Sequence, residues 1–174
     1  MSINELRDLI AREILSRIKV RRLLRYALYL FLALMTQNML FTQLRIAGVC
    51  PMILPAVAVA VGMFEGASWG ALFSLIMGVF ADMAFVENTI LFTLLFPALA
   101  FASGFISTFF INRRFFAFMG AALLGLLITG LVQMMRTVAV DTFSAVMFRT
   151  VILQTLWSLP FATLAYLPPA RWIA

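Results

Sequence analysis

Residues 66–82 read GASWGALFSLIMGVFAD, with no ionisable side chain before the final aspartate. Every fourth position of this stretch is small or polar: Gly66, Gly70, Ser74, Gly78 and Asp82. Because residues four apart lie on the same face of a helix, these five positions form one ridge. An apolar helix with a groove of small residues along one side is typical of a transmembrane helix that packs closely against another.

The rest of the chain has the same apolar character. Of the 174 residues, 64% are hydrophobic and 11% are charged, and the mean hydropathy is +1.07. Such a composition excludes a soluble globular domain. Six uncharged runs of 16 to 25 residues bracket the roughly 20 residues that a helix needs to cross a bilayer. The sequence therefore predicts an all-α, polytopic bundle with six transmembrane helices, near 24–43, 49–64, 67–85, 89–110, 115–135 and 150–168.

The basic residues predict the orientation of this bundle, because cytoplasmic segments retain Lys and Arg. With the N-terminus inside, ten of the 13 basic residues are cytoplasmic, and only Arg45, Arg136 and Arg149 are outside. Both termini are then cytoplasmic. The basic residues expected to contact anionic headgroups at the inner surface are Arg12, Lys19, Arg21, Arg22, Arg25, Arg113 and Arg114.

The segment 1–22 precedes the transmembrane domain 23–174 and has the pattern of a basic amphipathic helix. Ser2 and Glu5 have the spacing of a capping box, and an apolar stripe begins at Ile3 and recurs at helical spacing. We expect this helix to lie on the inner leaflet. Docking to a cytoplasmic partner is the alternative.

The ridge from Gly66 to Asp82 has two interpretations: helix packing inside the bundle, or an interface for a partner or ligand. Asp82 is predicted near the outer end of its span, where a carboxylate needs a partner, and Arg136 is a candidate. Two further ridges of small or polar residues predict that the fourth and fifth spans also pack inside: Ala100, Gly104, Thr108 and Asn112, and Ala121, Gly125, Thr129 and Gln133.

The second predicted span contains Pro51 and Pro55. If Pro51 opens the helix, the residues up to Phe64 extend only about 21 Å, which is too short to cross the bilayer straight. We therefore expect this span to be kinked, tilted or partly re-entrant.

Several kinds of chemistry lack their residues. Histidine is absent, Cys50 is the only cysteine, and no G-x-x-x-x-G-K-[ST] loop occurs. Asp82 is the only acidic residue expected within a span, whereas intramembrane aspartyl catalysis needs two facing carboxylates. The sequence therefore predicts a protein that is not an enzyme and has no metal or cofactor.

The stretch from Gly48 to Gly104 resembles the MreD family of rod shape-determining membrane proteins. The matching elements are Gly48 and Pro51 before the second span, Glu65–Gly66 at the turn, and the runs 70–72 (Gly-Ala-Leu) and 78–82 (Gly-Val-Phe-Ala-Asp). Met52 stands where the family has an aspartate, and the segment after Asp82 lacks the family's glycine. The size, the basic N-terminus and the six apolar runs also agree.

This resemblance implies a non-catalytic scaffold in the bacterial cytoplasmic membrane. Its partner would be MreC, and through MreC it would meet the MreB filament and the RodA-type peptidoglycan synthases of the elongation machinery. No nucleic acid is expected as a partner. On this interpretation the ridges hold the bundle together or receive a partner's transmembrane helix.

The alternative is a substrate-binding subunit of an energy-coupling-factor vitamin transporter, which is similar in length, span number and architecture. Ala56 and Ala60 supply an A-x-x-x-A surface of the kind such subunits present to their coupling protein. An open pocket with convergent polar groups would favour the transporter, and a filled outer face the scaffold.

Overall fold

The computed structural model describes residues 20–44, 48–84, 90–109, 115–140 and 145–173. The chain divides into two compact units, Met1–Leu32 and Ala33–Ala174. The described residues form six helices and no β-strand: α1 (Val20–Phe41), α2 (Leu54–Glu65), α3 (Ala67–Ala84), α4 (Leu91–Phe109), α5 (Phe115–Val140) and α6 (Ala145–Ile173).

Five of these helices are long and apolar enough to cross a membrane: α1, α3, α4, α5 and α6. Many of their large apolar side chains are exposed, including Trp69, Leu72 and Phe80 of α3 and Leu124 of α5. Apolar side chains on an outer surface are stable in lipid, where water does not oppose them. The chain is therefore an all-helical, multi-pass membrane protein.

The helices follow the predicted spans to within five residues, and the largest differences are at the start of α2, the end of α5 and both ends of α6. Helix α5 continues to Val140, past the predicted end at 135, and includes Arg136. Helix α6 begins at Ala145, before the predicted start at 150, and includes Arg149. Charged residues mark where a span leaves the hydrocarbon. A helix can continue beyond that level because its backbone hydrogen bonds are internal.

In the first unit, the described residues are Val20–Leu32 of α1. Arg21, Arg22 and Arg25 are exposed there. Their contacts with lipid headgroups stay a prediction. The predicted amphipathic helix, including Arg12 and Lys19, lies outside the described residues apart from its last three positions.

In the second unit, α1 ends in a π-helical turn, Thr36–Phe41, which directs Gln37 and Phe41 into the interior. The ring of Phe41 packs on Phe161 of α6, with the centroids 4.7 Å apart. A single π-turn of this kind inserts a residue into the helix and commonly occurs at functional positions.

The core of the second unit is α2, in which every residue from Leu54 to Phe64 is buried. Helix α3 packs on α4, α5 packs on α6, and α2 lies between the two pairs and contacts all four helices. The 12 residues of α2 extend about 18 Å, well short of the roughly 30 Å of hydrocarbon in a bilayer. A short helix thus holds two long hairpins together.

The prediction that a helix spans 49–64 is wrong at its start. The helix begins at Leu54, with Pro55 in its first turn, and Pro51 lies in a buried non-helical segment before it. Proline suits the first turn because it has no N–H to bond. A helix extended back past Pro55 would lack the bond to Pro51 and would bring the ring against that carbonyl.

Candidate helix-packing site

The ridge on α3 contacts helices of the same chain. A methyl group placed on Gly70 would overlap the backbone of Gly62 in α2, and one placed on Gly78 would lie 2.5 Å from the carbonyl oxygen of Phe92 in α4. Real side-chain carbons do not approach that closely, so both positions require glycine. The backbone of α3 therefore lies directly against two neighbouring helices, in the manner of small-residue interfaces in membranes.

Gly62 of α2 and Gly104 of α4 are the glycines on the helices that face α3. A methyl group on Gly104 would lie 2.7 Å from the carbonyl oxygen of Gly62, and one on Gly62 would overlap the carbonyl group of Ala100. Helices α2, α3 and α4 thus approach one another backbone to backbone. Gly104 belongs to a predicted ridge, whereas the sequence interpretation missed Gly62. Its position four residues before Gly66 was the available signal.

The turn between α2 and α3 depends on Gly66. Its φ is +95°, in the region that glycine adopts without steric conflict, so one residue reverses the chain from α2 into α3. Glu65 ends α2 beside it and is half-buried. Gly66 therefore forms the turn at the start of the ridge, and no atom lies within 4 Å of a methyl group built on it.

Two serines of α4 add hydrogen bonds across the interface. The Ser103 hydroxyl shares its one hydrogen between the Val59 carbonyl at 3.3 Å and the Ala100 carbonyl of its own helix at 3.0 Å. The Ser107 hydroxyl does the same between the Met63 carbonyl at 3.2 Å and the Gly104 carbonyl at 2.9 Å. They lie four residues apart and reach carbonyls four residues apart, so they link one face of α4 to one face of α2. Such bonds favour association because lipid offers no alternative partner.

Ser74, in the centre of the ridge, is fully buried. Among the described residues, its hydroxyl is the buried side-chain polar group that has no hydrogen-bond partner. Its small volume allows α3 to approach its neighbours, but the hydroxyl contributes no bond to that contact. The small side chain of Ser74 therefore suits the close helix contact, whereas its buried, unpaired hydroxyl lowers the stability of the fold.

Asp82 ends the ridge and caps the next helix. Its carboxylate accepts the backbone N–H groups of Phe92 at 3.1 Å and Thr93 at 2.7 Å, and the Thr93 hydroxyl at 2.6 Å. These amides are in the first turn of α4, where no helical partner exists for them. The first turn of α4 thus supplies donors for both carboxylate oxygens of Asp82, and the pairing with Arg136 stays a prediction.

The predicted ridge on α5 faces other helices of the chain, and the one on α4 is buried in its first half, at Ala100 and Gly104. Gly125 of α5 lies against Val59 of α2, with 3.0 Å between a methyl group built on Gly125 and the valine Cγ2. Thr129 is buried and donates to its own helix at the Gly125 carbonyl, 2.8 Å away. Gln133 reaches the Met52 sulfur at 3.9 Å. On the α4 ridge, Ala100 is buried, Thr108 is exposed, and Asn112 lies outside the described residues.

Ala56 and Ala60, the A-x-x-x-A pair, are fully buried inside the bundle. They face the chain's own helices and do not form the external surface expected for contact with a coupling protein.

Arg113 and Arg114 lie outside the described residues. Within the part of the chain that the structure describes, no group of three His, Cys, Asp or Glu side chains is close enough to hold a metal ion.

The site is therefore a close contact of three helices, α2, α3 and α4, closed at one end by the Gly66 turn and at the other by the Asp82 cap. Its chemistry is that of packing and hydrogen bonding within the chain. No protein-family model, no curated protein and no solved structure matches this chain.

Proposed function

We propose that this chain is a non-catalytic membrane scaffold of the MreD type, which binds MreC in the bacterial cytoplasmic membrane. Through MreC it contributes to the cell-elongation machinery that contains the MreB filament and the RodA-type synthases. The proposal combines the resemblance of residues 48–104 with the filled interior of the bundle. Six crossings with both termini in the cytoplasm are part of the proposal, with α2 and the segment before it making the second crossing.

The observation that supports a scaffold most directly is the burial of α2. Every residue from Pro51 to Phe64 is buried among the chain's own helices. The glycines that allow close approach contact neighbouring helices of the same chain. A bundle whose centre is filled by a helix suits a protein that holds a fixed shape for partners.

This geometry also restricts where a partner binds. Because Gly70 and Gly78 are covered by α2 and α4, they are inaccessible to a partner's transmembrane helix. The partner would instead contact the exposed apolar faces, for example Leu72, Leu75 and Val79 of α3. The ridge is then required for partner binding only indirectly, through the shape of the bundle.

Affinity purification of the full-length chain from bacterial membranes in mild detergent tests the proposal. We expect MreC to be identified among the co-purifying proteins, and its recovery to fall when an exposed residue such as Val79 is replaced by Trp without loss of thermal stability. Recovery of an energy-coupling protein and its ATPases in place of MreC would contradict the proposal.

A substrate-binding subunit of an energy-coupling-factor transporter is the second candidate, and one observation favours it. The backbone is non-helical just before α2, and Gln37, Gln133 and Ser158 contact that segment. Irregular backbone at membrane depth often lines a binding cavity. A thermal-shift screen against vitamins distinguishes the candidates, since a scaffold is not expected to be stabilised by any of them.

A further inference from the structure

The segment Gly48–Ile53, called the strap below, joins the turn after α1 to the first turn of α2 without being helical. Val49, Met52 and Ile53 are buried, and Cys50 is half-buried. Gly48 begins the strap with a φ of +81°. Because unpaired backbone groups away from water cost several kcal/mol each, such a segment needs hydrogen-bond partners from elsewhere in the bundle.

One partner is Gln37, in the π-helical turn of α1. Its carboxamide nitrogen donates to the Pro51 carbonyl at 3.2 Å, and its carboxamide oxygen accepts the Ile53 N–H at 2.8 Å. A single buried side chain thus pairs with two backbone groups of the strap, as a neighbouring strand would in a sheet. The side chain is 95% buried, so no water competes for these bonds.

The other partner is Ser158 of α6. Its hydroxyl oxygen accepts the Met52 N–H at 2.8 Å, while the hydroxyl donates to the Gln154 carbonyl of its own helix at 2.6 Å. If the strap leaves, Ser158 keeps its bond to Gln154. The α6 side of the contact is therefore complete with or without the strap.

The chain on both sides of the strap is fixed independently. Before it, the indole N–H of Trp157 donates to the Leu44 carbonyl at 3.4 Å. After it, Val57 donates to the Ile53 carbonyl at 3.0 Å and α2 continues as a regular helix. Three hydrogen bonds to the side chains of Gln37 and Ser158 hold the backbone of the strap, and breaking them leaves the hydrogen bonds of α2 and α6 in place. The sulfurs of Met52 and Cys50 add longer contacts of 3.9 Å, with the Gln133 carboxamide nitrogen and the Thr42 carbonyl oxygen.

We propose that the strap is a two-position element, closed by Gln37 and Ser158 in this structure and able to open while the bundle remains folded. Opening uncovers the first turn of α2, while the π-turn of α1 keeps its direct contact with α6 through the rings of Phe41 and Phe161. Proteins open in parts as well as globally, and a segment outside the helical hydrogen-bond ladders can open as a separate unit. This proposal is independent of the scaffold assignment, since it concerns the second unit alone.

Cys50 is the only cysteine of the chain and lies in the strap, so its alkylation reports opening in the full-length protein. We expect Gln37→Leu and Ser158→Ala, in lipid nanodiscs, each to raise the rate of maleimide labelling at least about tenfold, from the loss of buried hydrogen bonds. The matched controls are Gln43→Leu and Thr150→Ala, which make similar changes at exposed positions. Unchanged rates in both strap variants, or equal increases in the controls, would overturn the proposal.

Hydrogen exchange of the unaltered protein provides a test that needs no variant to fold. We expect the amides of Met52 and Ile53 to exchange faster than that of Val59 in α2, while α2 stays protected. Exchange of all three at one common rate would mean that the strap opens only when α2 unfolds, and would overturn the proposal.

Discussion

The carboxylate of Asp82, in the last turn of α3, lies 2.7 Å from the backbone nitrogen of Thr93, in the first turn of α4. A side chain of one helix therefore serves as the N-cap of the next. The negative charge also faces the positive end of the α4 dipole. Asp82 thus has a structural partner at each of its carboxylate oxygens, Phe92 at one and Thr93 at the other.

Replacing Asp82 by Ala is expected to destabilise the bundle by about 2 kcal/mol, because it leaves the first-turn amides of α4 without an acceptor. The measurement is the thermal unfolding midpoint of the purified protein in detergent. Thr93→Val removes only the hydroxyl donor and should lower the midpoint less. Equal midpoints for Asp82→Ala and the unaltered protein would show that the cap does not stabilise the hairpin.

Replacing Gly70 by Ala should separate α2 from α3, because the added methyl group overlaps the backbone of Gly62. Overpacking of this kind is expected to destabilise by about 2 kcal/mol or more. Gly120→Ala is the matched control, since no atom lies within 4 Å of a methyl group built there. Unfolding by titrated denaturing detergent should separate the two variants, and similar curves would contradict the packing contact.

Because Gly70 and Gly78 pack against α2 and α4, a loss of partner binding in their variants has to be interpreted together with the stability of the bundle. A bulky residue at Gly70 or Gly78 is expected to abolish recovery of MreC, but together with a loss of thermal stability. A variant that kept its midpoint and lost the partner would instead place the ridge at a partner interface.

Replacing Ser74 by Ala should stabilise the protein by up to about 1 kcal/mol, because it removes a buried hydroxyl without a partner and leaves the helix contact unchanged. Ser107→Ala is the comparison, since that hydroxyl has acceptors, the Met63 carbonyl across the interface and the Gly104 carbonyl of its own helix. The thermal midpoint is expected to rise for Ser74→Ala and to fall for Ser107→Ala. A fall in both would indicate that Ser74 has a hydrogen bond in the membrane.

The predicted orientation is tested by labelling single cysteines in a Cys50→Ser background. A membrane-impermeant maleimide added to intact cells should label Asn88→Cys, which the sequence predicts outside. Arg114→Cys should be labelled only after the membrane is permeabilised, because the positive-inside rule predicts it in the cytoplasm. The reverse pattern would invert the proposed topology.

The long helices were predictable from the sequence because lipid imposes a simple rule. A run without charge, long enough to cross the hydrocarbon, satisfies its own backbone hydrogen bonds as a helix. The spans predicted from such runs, 67–85 and 115–135, therefore match α3 and the first part of α5 closely. The four-residue period of Gly66 to Asp82 also identified the face of α3 that packs, since helical periodicity is a local property.

The partners of that face were decided only by the tertiary structure. Nothing local to Gly70 specifies Gly62 as its neighbour, and nothing local to Asp82 specifies the first turn of α4 in preference to Arg136. The non-helical segment before α2 also depends on residues that are distant in sequence. Pro51 and Pro55 predicted an irregular span, but its buried backbone is stable only because Gln37 and Ser158, distant in sequence, supply the hydrogen bonds that lipid cannot.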